Sequence, residues 1–190
     1  MPTLREELEE WEWNDIVALL DQPEDRANAA LGAMWSERLA TSDPTQILGF
    51  ARCWSRIQSV AIASCGCARL VLDRVSRRAR ADATAAIETT ERWARGDATL
   101  EDVWDARQRA SGRAYEGDAV AEIASEAAEA AGDHQAGFDD EALASAERCA
   151  TAVIAMLGET GRAQVIEMFR TTFGAPSMKA LHDAHAARWT

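Results

Sequence analysis

The sequence predicts an all-α protein, built as a single-domain bundle of roughly eight to nine helices. Three observations support this fold class. Apolar residues recur three and four positions apart along most of the chain. Capping residues, glycines and prolines divide these stretches at helix-like lengths, whereas strand-type alternation is nearly absent. Because 190 residues with 47% hydrophobic content can bury one substantial core, we expect one domain over residues 1–190.

The N-terminal stretch predicts two acidic helices. Thr3 and Glu6 have the spacing of a capping box, and apolar residues at helical spacing follow, so a helix is expected over residues 3–20. Asp21 and Pro23 then predict the start of a second helix. Residues 1–40 would therefore form an acidic helical pair packed on the rest of the domain.

The next two helices are predicted from a start signal and from a broad apolar face. Asp43 has the character of an N-cap, and Pro44 occupies the first helical position. The following helix is expected over residues 57–77. Its apolar positions cover a wide arc, which indicates a central helix with several neighbours.

Capping signals continue through the middle of the chain. Asp82 is predicted to cap a helix over residues 83–95, which ends at Gly96. Thr99 with Asp102 predicts the next capping box.

The C-terminal half contains an alanine-rich acidic helix and three further helices. The first is predicted over residues 117–131, and a Gly- and Asp-rich loop over residues 132–141 follows. A long helix is expected over residues 140–157. Breaks at Gly158 and Gly161 then lead into a short helix, and the last helix covers residues 177–188.

Charge is unevenly distributed along the chain. The net charge is −12, of which residues 1–25 contribute −8 and residues 96–150 contribute −10, whereas residues 26–95 carry +5. Such acidic blocks favour a basic protein partner and disfavour nucleic acid, whose phosphates they repel. The acidic N-terminus resembles no secretory signal, and no uncharged run reaches membrane-spanning length. We therefore expect a cytoplasmic protein that binds no membrane and has reduced cysteines.

Two cysteines in a Cys-Gly-Cys stretch raise the question of a metal site. On a continuous helix Cys65 and Cys67 point about 200° apart and cannot bind one ion, so a clasp requires a break at Gly66. Cys53 and Cys149 would complete four ligands only through the tertiary fold. A small core position is the favoured interpretation of Cys65, and a metal site stays an alternative.

Two histidines near the C-terminus form the second candidate metal site. His182 and His185 lie three positions apart and share a helix face, with a third ligand to come from His134 or an acid. The favoured interpretation is one packed and one solvated histidine. The acids at residues 139–141 lack the spacing of a calcium loop and are better explained as helix-capping groups.

Most of the seven tryptophans fall on apolar helix faces, where core packing explains them; these are Trp11, Trp35, Trp54, Trp93 and Trp104. Trp13 differs. On a helix over residues 3–20 it projects about 160° or more from Trp11, in a quadrant that it shares with Glu6 and Glu9. Either the first helix is buried on both sides, which is the interpretation we favour, or Trp13 is a contact residue on an acidic surface.

The order of motifs over residues 40–110 resembles a group of all-helical bacterial proteins that includes immunity proteins of toxin systems. An Asp-Pro helix start precedes a cysteine-containing central helix, then an alanine-rich helix that ends in Arg-Trp-x-x-Gly. The residues that carry the resemblance are Asp43, Pro44, Cys65, Cys67, Ala86, Ile87, Arg92, Trp93 and Gly96. This chain has Cys-Gly-Cys where many relatives place the cysteines next to each other. The resemblance implies a helical binding protein without catalytic residues.

These observations predict a non-enzymatic, acidic protein-binding protein, with toxin neutralisation as one form of that function. No cofactor and no catalytic residue is predicted. The alternatives are a metal-binding helical enzyme or sensor and a structural subunit, including a homo-oligomer. The candidate partner-binding residues are Glu6, Glu9, Trp13, Asp102, Asp105 and Glu122.

Overall fold

The computed structural model describes residues 2–41, 43–131 and 140–188, with the side chain of Arg188 excluded. Within these ranges the protein is all-helical and has no strand, which confirms the predicted fold class. The described residues form eleven α-helices, slightly more than the eight to nine expected. They are α1 Leu4–Glu10, α2 Asn14–Val17, α3 Glu24–Thr41, α4 Pro44–Ala51, α5 Ile57–Arg69, α6 Arg80–Ala94, α7 Leu100–Tyr115, α8 Ala119–Glu129, α9 Asp140–Leu157, α10 Glu159–Phe173 and α11 Met178–Arg188.

The predicted continuous helix over residues 3–20 is wrong. The capping box of Thr3 and Glu6 starts α1 as expected, but Glu12 adopts a left-handed backbone conformation (φ 61°) and ends helical continuity. The backbone N–H of Trp13 then donates to the carbonyl oxygen of Leu8 at 2.8 Å. Residues 1–40 therefore contain three helices rather than a pair.

The central helix α5 is shorter than the predicted 57–77. It ends at Arg69, and the chain continues through a short 3₁₀ helix, Leu72–Arg74. Its central position is confirmed, because it contacts α6, α8, α9 and α10. Nine of its residues are buried: Ile57, Val60, Ala61, Ala63, Ser64, Cys65, Gly66, Cys67 and Ala68.

Two capping predictions in the middle of the chain have different outcomes. Thr99 and Asp102 form the expected capping box of α7. Asp82 does not cap α6, which begins at Arg80; its carboxylate instead accepts a hydrogen bond from Nε of Arg113 on α7 at 2.7 Å. The ion pair therefore ties α6 to α7.

The C-terminal helices follow the predictions except at one glycine. Helix α9 has the predicted bounds, and Gly158 (φ 67°) separates it from α10. Gly161 lies inside α10 and does not interrupt it. A Cβ atom at Gly161 would lie 2.5 Å from Cβ of Leu157, so the glycine permits a close approach between successive helices. The predicted loop at residues 132–141 falls largely outside the described residues.

One buried apolar cluster extends from Leu4 on α1 to Leu181 on α11. Its aromatic part is centred on Phe50, whose ring lies 5.0 to 6.3 Å from the rings of Trp13, Trp35 and Trp54. In the part of the chain that the structure describes, no helix has the length and apolar character required to cross a bilayer.

Candidate functional site

Helix α7 exposes two large aromatic side chains. Trp104 is 36% exposed and Tyr115 is 91% exposed, whereas every other described tryptophan is buried or half-buried. Along a helix the two residues project within about 20° of each other, so they share one face of α7. Exposed Asp105 lies on the same helix. The sequence placed Trp104 on an apolar stripe, and this is wrong because Val103, Ala106 and Ala110 supply the buried stripe.

An ion-pair network connects Trp104 to the two following helices. The guanidinium of Arg107 lies 5.0 Å from the centre of the Trp104 ring and pairs with Glu129 on α8 at 2.5 Å. Arg148 on α9 pairs with Glu126 of α8 at 2.9 Å and approaches Glu129 at 3.8 Å. We name the surface formed by Trp104, Arg107, Tyr115, Glu122, Glu126, Glu129 and Arg148 the α7–α9 face.

The Glu126 carboxylate on this face is partly removed from water. Partial burial raises the pKa of Glu126 above its usual value, although the hydrogen bond from Arg148 opposes the rise. Arg148 also pairs with Glu141 at 3.2 Å. In this network the guanidiniums of Arg107 and Arg148 contact three carboxylates, those of Glu126, Glu129 and Glu141. The network therefore has a net negative charge.

A groove of about 380 Å³ lies between α8 and α9 on this face. The residues that line it are Ala119, Glu122, Ile123, Glu126, Arg148, Ala152, Ala155 and Met156. Most of its surface is apolar, and its charged groups are two glutamates and one arginine. Such a site offers aliphatic contacts together with a carboxylate.

The predicted partner-binding residues fall in two parts of the molecule. Glu122 is exposed on α8 within the α7–α9 face, and Asp105 is exposed on α7, about 160° around the helix from Arg107. Glu9 is exposed on α1, in the N-terminal region. The structure therefore does not assemble the predicted residues into one site.

Glu6 and Asp102 have defined structural roles at helix starts. The Glu6 carboxylate accepts from the backbone N–H of Thr3 at 2.7 Å, and the Asp102 carboxylate accepts from that of Thr99 at 2.8 Å. These hydrogen bonds lower the pKa of both carboxyl groups. Both side chains stay exposed, so their negative charge still contributes to the surface.

Trp13 is half-buried and packs on a cation instead of being ringed by acids. Its ring meets Phe50 edge-on at 5.4 Å, and the guanidinium of Arg38 lies 4.9 Å from the ring centre. The predicted acidic surroundings depended on a continuous helix through Trp13, which Glu12 interrupts. Of the two interpretations of Trp13, burial therefore fits its position better than an exposed contact on an acidic surface.

Cys65 and Cys67 both lie on α5 as buried thiols. Helix α5 passes through Gly66 without a break, and Sγ of Cys65 donates to the carbonyl oxygen of Ile87 at 3.6 Å. Burial raises the pKa of the Cys65 thiol and raises that of Cys67 to about 12. All four cysteines are buried thiols, and Cys65 occupies the predicted core position. The protonated thiols are poor nucleophiles near neutral pH.

The two histidines separate into one packed and one solvated residue, as favoured above. His185 is buried, and its Nδ1 lies 2.5 Å from Oε2 of Glu7 on α1, whereas His182 is exposed. Among the described residues, no group of three or more histidine, cysteine or acidic side chains is arranged to hold a metal ion. His134 and Asp139, which the sequence offered as further groups, lie outside the described residues.

Sequence reasoning missed Tyr115, Arg148 and the groove. A signal for Tyr115 existed, because it directly precedes Glu116 and Gly117, and a glycine there marks a helix end. Arg148 gave no signal, since its partners come from α8 and from the first turn of α9.

Fold and site together define an all-helical bundle with an acidic, aromatic-bearing face and a core of protonated thiols. Comparisons of the chain with protein-family models, with curated proteins and with solved structures give no significant match. The resemblance to immunity proteins therefore stays a prediction.

Proposed function

We propose that this protein is a non-enzymatic binding protein whose α7–α9 face captures a basic protein partner. The observation that carries the proposal is the exposure of Trp104 and Tyr115 beside acidic side chains, in a chain whose other described tryptophans pack inward. Tryptophan and tyrosine are enriched among the residues that dominate binding energy at protein interfaces. An exposed pair on one helix face is therefore a natural contact centre.

The distribution of charge supports a basic partner. Residues 96–150, which include α7, α8 and the first half of α9, carry a net charge of −10. Complementary charge accelerates association and disfavours acidic competitors, and salt screens it. The proposed complex therefore associates more slowly and dissociates more readily as ionic strength rises.

Toxin neutralisation is the specific form of this function that the resemblance suggests. An immunity protein works by stoichiometric binding and needs no reaction centre of its own. Co-expression with the product of the neighbouring gene tests this form directly, since survival of cells that otherwise die would support it. Death despite expression of both chains would count against that toxin as the partner.

A photo-crosslinking amino acid at position 115 provides the test of the face itself. A matched control carries the same amino acid at position 88, where exposed Glu88 lies on α6 outside the face. We expect one basic protein crosslinked through position 115 and not through position 88, in cells that express the protein. A crosslink between two copies of this chain would instead indicate a homo-oligomer and overturn the proposal.

The crosslinked protein is then purified and titrated with the intact chain. We expect the dissociation constant to rise when the salt concentration rises from 50 to 500 mM, as for other charge-steered complexes (about tenfold or more). An affinity that is independent of salt would contradict a charge-driven interface.

A further inference from the structure

We propose that the groove between α8 and α9 is a pocket for a single lysine or arginine side chain. The inference rests on the proposed function, because it assigns this pocket to a cationic residue of the basic partner.

The shape of the groove suits an aliphatic stem. Its wall on α8 presents Ala119 and Ile123, and its wall on α9 presents Ala152, Ala155 and Met156. The methylene groups of a lysine or arginine bury well against such surface while the charged head stays near water. A volume of about 380 Å³ accommodates one such side chain.

The charges at the groove select a cation. Among the described residues the Glu122 carboxylate has no hydrogen-bond or ion-pair partner, and Glu122 lines the groove beside Glu126. Glu126 pairs with Arg148, yet desolvation still raises its pKa. A second cation beside these two carboxylates would offset the desolvation cost of Glu126 by charge attraction and supply the partner that the Glu122 carboxylate lacks.

Arg148 is an example, within the chain, of a cation that pairs with carboxylates beside this groove. Arg148 lines the groove, and its guanidinium contacts Glu126 and Glu141 at 2.9 and 3.2 Å. A guanidinium or ammonium group from outside would bind Glu122 in a similar way. An anionic ligand would meet two carboxylates and one guanidinium that Glu126 and Glu141 already pair with, and a purely apolar ligand would leave Glu122 without a partner.

Binding of a small cation to the intact, isotope-labelled protein tests the pocket without any partner. The probe is n-butylguanidinium, and its neutral control is n-butylurea, which has nearly the same shape. We expect saturable NMR shifts of backbone amides in residues 119–126 and 148–156 with the cation, and no comparable shifts with the urea.

Two variants locate the binding charge. Glu122→Gln should weaken binding of n-butylguanidinium about threefold to fivefold, the range of an exposed ion pair. Glu88→Gln removes the same charge from α6 and should leave the binding constant unchanged. Equal losses in both variants, or equal shifts with n-butylurea, would overturn the pocket and leave only diffuse attraction to an acidic surface.

The partner complex separates this inference from the proposed function. If n-butylguanidinium binds the groove but no basic protein binds the chain, the pocket stands and the proposed function fails. If a basic protein binds with equal affinity to the native chain and to Glu122→Gln, the function stands and the pocket does not receive the partner. A selective loss of partner affinity in Glu122→Gln supports both.

Discussion

The aromatic N-terminal region and the alanine-rich α6–α9 region differ in how deeply their tryptophans are buried and in what most of their arginines contact. Near the N-terminus the guanidinium of Arg38 lies 4.9 Å from the ring centre of Trp13 and 4.8 Å from that of Phe50. Here arginine is a packing group for aromatic rings. In the second region Arg107 and Arg148 bind carboxylates at the surface, and Trp104 remains exposed.

The difference follows from the size of the core side chains. Large rings fill the space between α1, α3 and α4, so even short helices gain enough apolar contact to be held in place. Small side chains on α5–α9 let helices approach closely, and long polar side chains then form networks at the rim. The first region is thus built for stability, whereas the second leaves aromatic and acidic groups available for binding.

Removal of a central ring should produce the largest effect. Phe50→Ala deletes a fully buried ring that contacts Trp13, Trp35 and Trp54, so we expect a loss of about 3 to 5 kcal/mol in the free energy of unfolding. Chemical denaturation followed by tryptophan fluorescence measures it. A loss below about 1 kcal/mol would show that the aromatic cluster is not the stabilising centre of its region.

A methyl group at the closest helix contact should have the next largest effect. A Cβ atom at Gly66 on α5 would lie 2.4 Å from Sδ of Met168 on α10. Gly66→Ala should reduce the free energy of unfolding by no more than about 1 kcal/mol, because overpacking is eased by the flexible, half-buried Met168 side chain and offset by the higher helix propensity of alanine. Met168→Ala in the same chain should recover much of that loss, because it removes the obstructing atoms. Losses that merely add in the double variant would contradict the contact.

Loss of a capping box should produce a smaller, pH-dependent effect. Backbone and side-chain hydrogen bonds from Thr99 lower the pKa of Asp102 in the folded state. A carboxyl group with a lowered folded-state pKa stabilises the protein above its unfolded-state pKa, and this contribution disappears as pH falls through the folded value.

Thr99→Ala should therefore move the pKa of Asp102 upward toward its usual value near 3.8, as measured by carboxyl NMR titration. The stability difference from the native chain should be larger at pH 7 than at pH 2. A difference that is the same at both pH values would show that the Asp102 charge plays no part in the cap.

Local signals account for what the sequence predicted well. Asp43 with Pro44 and Thr99 with Asp102 each act within one helical turn, so both helix starts are where the sequence places them. Helix α9 was also predicted within its bounds. The left-handed conformation of Glu12 had no such signal, because glycine or asparagine usually marks that backbone region.

Contacts between distant helices account for what was missed. Gly66 was considered as a break in α5, but its role is a close approach to Met168 on a helix far along the chain. Periodicity placed Trp104 on an apolar stripe. The structure shows that Val103, Ala106 and Ala110 form the buried face of α7 instead. Of the six predicted partner-binding residues, Glu122 lies at the α7–α9 face, while the groove depends on α9 residues that no motif marks.

The contrast between a stabilising aromatic region and the proposed binding face is tested most directly by Tyr115→Ala. The variant should change the free energy of unfolding by less than about 0.5 kcal/mol, since the ring is 91% exposed. It should weaken binding of the crosslinked partner by about tenfold or more, as expected for a central interface tyrosine. Native affinity in a fully folded Tyr115→Ala protein would contradict the account.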